Sequence, residues 1–186
     1  MMSGPSASTT DVQDYLEVLA EVNHNGFGFL VAFGLTWLVA GGIWLRFGEK
    51  AGAYAALFQG TAGVPLGLLL TSLTATAGRP DDPSMNALSI YLGAGQLLVL
   101  PLAIVLIVQH RYLAVAAVMA LVLAVHFVPY AWLYGTPVYL AAAAVVAVLT
   151  ATVVAIDLSR ERSHGALLCV GTGATLLLGG LAALLL

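Results

Sequence analysis

Four side chains in this sequence could do chemistry inside otherwise apolar surroundings: Gln59, Gln96, His126 and Tyr130. A neutral imidazole donates through one ring nitrogen and accepts through the other, and an amide side chain does both. Together they suit the polar lining of a pocket for a small hydrophobic or weakly polar ligand. The plainer reading is a hydrogen bond between two helices, worth about 0.6 kcal/mol on average in a membrane. His126 could also act as a base toward a lipid-soluble substrate, although no acid or nucleophile accompanies it. His-Glu-x-x-His, Gly-x-Ser-x-Gly and Gly-x-x-x-x-Gly-Lys patterns are absent. No second His, Cys or carboxylate lies near His126 in its apolar run, which argues against a metal, and nothing in the sequence points to a cofactor. Asp81-Asp82 stands between prolines and reads as a solvated turn. The single cysteine, Cys169, reads as a small apolar filler and excludes an intrachain disulfide.

The elements that must position these residues follow from composition. Of 186 residues, 61% are hydrophobic and 8% charged, against roughly a quarter charged in a soluble domain. A soluble fold of this length could not hide so much apolar surface. Disordered chains, disulfide scaffolds and nucleic-acid partners are excluded together. The fold class is all-α, an integral membrane protein whose first partner is the lipid bilayer.

A bilayer core of about 30 Å takes roughly 20 helical residues, and six uncharged runs have that length. They are Phe27–Leu45, Ala53–Ala77, Ala87–Val108, Tyr112–Tyr134, Val138–Ile156 and Gly165–Leu186. The expected architecture is a six-helix bundle of up-down topology (residues 27–186) behind an acidic tail (residues 1–26). Loops after the first, third and fifth runs carry Arg46, Lys50, Arg111, Arg160 and Arg162, whereas the other side carries Arg79 alone. The positive-inside rule then puts both termini of a cell-membrane protein outside the cytoplasm. Asp11, Asp14, Glu17 and Glu21 make the tail negative, with no basic residue before Arg46. A signal peptide and a polybasic lipid-binding segment are therefore not expected.

Within the tail, Val12, Tyr15, Leu16, Leu19 and Val22 recur at helical spacing, and Thr10 is placed to cap that helix. Docking on the rim of the bundle is expected for it, partner recruitment being the alternative. Lipid gives no hydrophobic drive for helices to meet, so alignment of small residues decides close approach. Ala56, Gly60, Gly63 and Gly67 form one such ridge, and Gly171, Thr175 and Gly179 another. Both read as intramolecular packing, with a homo-oligomer as the alternative. Pro65, Pro101 and Pro129 each remove a backbone hydrogen bond and are candidates to break their helices. Counting from the third loop puts Gln96 and His126 at similar depth; whether they face each other depends on helix rotation. Trp132, Tyr134 and Tyr139 suit an aromatic belt at the outer interface.

The run His126-Phe127-Val128-Pro129-Tyr130-Ala131-Trp132-Leu133-Tyr134 resembles a family of small, uncharacterised bacterial multi-span membrane proteins, a domain of unknown function. Asn25-Gly26, Trp37, Gly63-x-Pro65-Leu66-Gly67 and Gln96-Leu97-Leu98 with Pro101 extend the resemblance over most of the chain after the tail. What it implies is architecture alone. A small-molecule binding or permeation protein is the first functional expectation. A structural or accessory protein that binds a partner comes second, and an enzyme acting on a lipid-soluble substrate third.

Overall fold

The structure, a computed structural model, describes residues 9–158 and 164–186. The charged loop holding Arg160 and Arg162 lies outside the described residues. All regular structure in the described residues is helical: α1 (Thr9–Val22), α2 (Phe27–Phe47), α3 (Glu49–Thr74), α4 (Pro83–Gly95), α5 (Leu100–Val108), α6 (Tyr112–Leu133), α7 (Val138–Leu158) and α8 (Gly165–Leu185). Short 3₁₀ turns cover His24–Gly26 and Gln96–Val99. With α4, the second 3₁₀ turn and α5 taken as one span, six helices are long and apolar enough to cross a membrane.

Helix ends differ from the sequence reading where local hydrogen bonding overrides charge. The third span begins at Pro83 rather than Ala87 because the Asp82 carboxylate accepts from the Met85 amide at 2.9 Å, and Pro83 suits the first helical turn. Asp82 is thus a cap, and Asp81 accepts from Asn86 Nδ2 at 2.9 Å. The second span starts at Glu49, four residues early, because Gly48 alone separates it from α2. Gly48 has φ +87°, a left-handed value that lets the chain reverse in one residue. In the tail, Thr10 lies within the described part of α1. Leu19 and Val22 are buried, which anchors the C-terminal half of α1 on the bundle.

Helix α2 is the mast. It packs most extensively against α3 and α8. A Cβ on Gly173 would come within 2.8 Å of the Gly34 carbonyl oxygen, so α2 and α8 touch backbone to backbone. Gly41 is similarly filled by Val170 of α8. At one end of α2 the Trp44 indole fits between Gly52 of α3 and Gly165 of α8. The two ridges seen in sequence also pack within the chain. Gly63 and Gly67 receive Phe33 and Phe29 of α2, and Gly171 and Gly179 receive α7 side chains. Gly60 is the exception, with nothing within 4 Å of an added Cβ.

The third span is held differently. Only 6% of its most apolar stretch is buried, against 22–44% for the other five. Its α5 half rests on α6 and buries Ala103, whereas α4 has no buried residue and packs on no other helix to any extent. The prolines also behave unequally. Pro65 and Pro129 lie inside unbroken helices, and Pro101 alone adjoins a departure from α-helical geometry, the 3₁₀ turn at Gln96–Val99.

These contacts predict that Gly173→Ala costs about 1–3 kcal/mol through overpacking. Gly60→Ala should be neutral, or stabilising by up to about 1 kcal/mol from helix propensity. Thermal unfolding of the two variants in one detergent checks the contrast; equal losses would contradict the packing described.

Candidate functional site

Three of the four polar residues converge on one cavity of about 50 Å³. Gln96 enters from the 3₁₀ turn of the third span, while His126 and Tyr130 project from successive turns of α6. Phe29 and Phe33 of α2 form the opposite wall, and Leu30, Leu123 and Phe127 fill between them. Tyr134 and Tyr139 close the end toward the α6–α7 connection. The Phe29 ring reaches its place because Gly67 leaves it room, an added Cβ lying 2.5 Å from Phe29 Cδ1. Phe33 sits likewise over Gly63, at 3.3 Å. Phenylalanines at i and i+4 on α2 therefore match glycines at i and i+4 on α3, and this match sets one wall of the cavity.

Gln96 and His126 are half-buried, and their side chains hydrogen-bond neither to each other nor to another described residue. The interhelical hydrogen bond open to them in the sequence reading is not made. The His126 ring instead leans on Tyr130, centroids 4.7 Å apart. Gln59 is elsewhere. It is buried in the α2–α3 contact, where its Oε1 accepts from Thr36 Oγ1 at 3.0 Å, and it does not line the cavity. The reason is azimuth: Gln59 lies on the face of α3 that meets α2, four residues before Gly63 and eight before Gly67. Its role is to join two helices.

Tyr134 and Tyr139 are also placed differently from an interfacial belt. Tyr139 is 2% exposed, and its ring stacks on Tyr134 at 5.5 Å with planes 16° apart. Tyr130 completes the triad, 5.8 Å from Tyr139 and 6.1 Å from Tyr134, and Phe127 meets Tyr139 edge to face. Trp132 is 54% exposed.

Above the tyrosines lies a feature for which sequence offered only the pair Asn25-Gly26. His24, Asn25 and Gly26 are all left-handed, with φ of 47°, 52° and 78°. For His24 and Asn25, which carry a Cβ, such values cost about 1–3 kcal/mol each and persist only where the surroundings over-determine them. Here they do. Tyr139 Oη donates to the Asn25 carbonyl at 2.7 Å, Asn25 Nδ2 donates to the Ala183 carbonyl at 3.1 Å, and His24 Nε2 donates to the Thr74 carbonyl at 3.0 Å. At Gly26 no Cβ would fit, because the Tyr139 hydroxyl and Tyr134 ring occupy its place. The turn thus ties the ends of α3, α7 and α8 together over the tyrosine end of the cavity.

Six long apolar helices around a small, weakly polar cavity define a multi-pass helical membrane protein. Within that class, the chain belongs to the family of unknown function DUF7010, whose model matches residues 12–183. Comparison with curated proteins and with solved structures gives no match. The family match reaches back to Val12 and so includes most of α1.

The division between Gln59 and Gln96 is measurable. Gln59→Leu should cost about 1 kcal/mol by removing the bond between α2 and α3, the Thr36 hydroxyl keeping only its bond to the Phe33 carbonyl, whereas Gln96→Leu should cost under about 0.5 kcal/mol. Tyr139→Phe keeps the stacked ring but loses the bond to Asn25, for about 1 kcal/mol. Gly26→Ala should cost more than Tyr139→Phe, because it meets both a steric block and an unfavourable φ. Thermal unfolding of the four variants in detergent orders them.

Proposed function

We propose that this protein binds, or passes, a small hydrophobic or weakly polar molecule through the cavity between α2, the third span and α6. One observation carries the reading. Gln96 and His126, two polar side chains at matching depth, line a common space and keep their hydrogen-bonding capacity unused. Holding half-buried polar groups without partners is costly in lipid, and a ligand that completes them would remove that cost. Aromatic walls with a few convergent polar groups are the usual make-up of a small-molecule site. The loosely held α4 supports side access from the bilayer, because nothing has to be unpacked to reach Gln96.

In this reading the six helices thread a cell membrane in up-down order, as the antiparallel pairing of α2 with α3 and α8 favours. Both termini lie outside the cytoplasm, following Arg46, Lys50 and Arg111 against Arg79. The tyrosine end of the cavity, with the His24–Gly26 turn above it, then faces the outside. Gln59 is left out of the site, and the proposal rests on Gln96, His126 and Tyr130. Pro101 takes part by setting the turn that presents Gln96.

The test uses single cysteines in a Cys169→Ala background. Cysteines at positions 96 and 126 should react with small aqueous thiol reagents in membranes, and a cysteine at position 59 should be protected. Protection at both 96 and 126 would overturn the binding reading and favour a purely structural role for the polar pair.

A further inference from the structure

Apart from the cavity, an open recess of about 300 Å³ lies where α1, the His24–Gly26 turn and the end of α8 meet. Ala20, Glu21, His24, Asn25, Ala183 and Leu186 line it. Bonds already made by the turn fix what these side chains still offer. His24 Nε2 donates to the Thr74 carbonyl, so the neutral ring holds its proton there and Nδ1 is left as an acceptor. Asn25 Nδ2 donates to the Ala183 carbonyl, which leaves Oδ1 as an acceptor. The Glu21 carboxylate is exposed and bonds to no described residue. Three side-chain acceptors therefore border one recess, and one of them is anionic. Asp14 and Glu17 share the exposed face of α1 with Glu21 and add to the negative field. Asp81 and Asp82 are engaged at the start of α4. Arg79, the one Lys or Arg at this end among the described residues, bonds to Ser89 and does not line the recess.

We infer that this recess holds a primary ammonium group, that of an ethanolamine-headed phospholipid. A primary ammonium brings one positive charge and three N–H donors, which match one carboxylate and two neutral acceptors. A choline head carries the same charge without any N–H and is held by aromatic faces; no aromatic side chain lines the recess. A metal ion is less suited, because no group of three His, Cys, Asp or Glu stands together among the described residues. Position decides for a lipid over a dissolved amine. Helix α8 is long and apolar enough to span the bilayer, so its end reaches the polar boundary. Leu185 and Leu186, each 77% exposed, continue apolar surface up to the rim. Acyl chains can lie along them while the headgroup turns into the recess and its phosphate stays on the water side. The volume is at the lower end of the roughly 300–1,000 Å³ typical of small-molecule sites. This site is separate from the cavity between α2 and α6 and does not depend on the reading given to it.

The test is a methylation ladder. Phosphatidylethanolamine, its N-methyl and N,N-dimethyl derivatives and phosphatidylcholine, all with the same acyl chains, keep the charge while losing one N–H at each step. Each is titrated onto the purified full chain in detergent, in mildly alkaline buffer that keeps imidazoles neutral, and bound lipid is counted by native mass spectrometry. Affinity should fall step by step, by at least fivefold from the first lipid to the last. In Glu21→Ala, an exposed position, the ladder should flatten to within twofold. Glu17→Ala removes the same charge one turn away and should keep most of the preference. A flat ladder in the unaltered protein, or a preference for choline, would overturn the inference. So would a ladder that survives Glu21→Ala, or one lost equally in Glu17→Ala, since the recess would then not be its origin. Soluble glycerophosphoethanolamine in excess should displace little of the bound lipid; displacement as effective as that by the intact lipid would overturn the assignment to a lipid and leave a dissolved primary amine as the ligand.

Discussion

Hydrocarbon gives helices no reason to associate, so whatever holds this bundle together must come from steric fit. That constraint explains the uneven distribution of contacts. Helix α2 meets α3 and α8 through glycines spaced to receive backbone or ring, at Gly34 against Gly173, at Phe29 and Phe33 over Gly67 and Gly63, and at Trp44 between Gly52 and Gly165. The third span has no equivalent. Its own glycines, Gly93 and Gly95, face nothing within 4 Å. A helix without a fitted partner stays at the edge, and the space left between it and α6 is the cavity. Site and packing are therefore one consequence.

The left-handed turn at His24–Gly26 belongs to the same economy of fit. Strained backbone persists only where neighbours fix it, and here three helix ends supply carbonyls or a hydroxyl to do so. The turn closes the tyrosine end of the cavity with backbone and aromatic rings, which leaves the side past α4 as the less obstructed approach. A stable core and an accessible edge are thereby combined without a charged residue at depth.

Much of this was legible in the sequence because neutral runs of about 20 residues have one solution in a bilayer. The six spans stand within a few residues of their expected bounds, and the errors at Pro83 and Glu49 arise where a capping aspartate or a lone glycine sets the end. Depth was legible too, since counting from the third loop places Gln96 and His126 level. Azimuth was not. The rotation of each helix about its axis sends Gln59 into the α2–α3 contact and Tyr134 and Tyr139 inward, although composition alone suited the first to a pocket and the others to a belt. Phe29 and Phe33 escaped notice because phenylalanine in an apolar helix carries no signal. Their match to Gly67 and Gly63 at the same spacing was the signal available. The turn at Asn25-Gly26 showed only as a dipeptide that favours turns.

The central claim is that Gln96 and His126 face a common space and not each other. A double-mutant cycle of Gln96→Leu and His126→Leu, read as unfolding free energy in one detergent, tests it directly. The structure predicts a coupling energy within about 0.3 kcal/mol of zero. A favourable coupling of about 0.6 kcal/mol or more, the average for interhelical hydrogen bonds in membranes, would mean the two side chains bond to each other, and the account of an open polar site would be wrong.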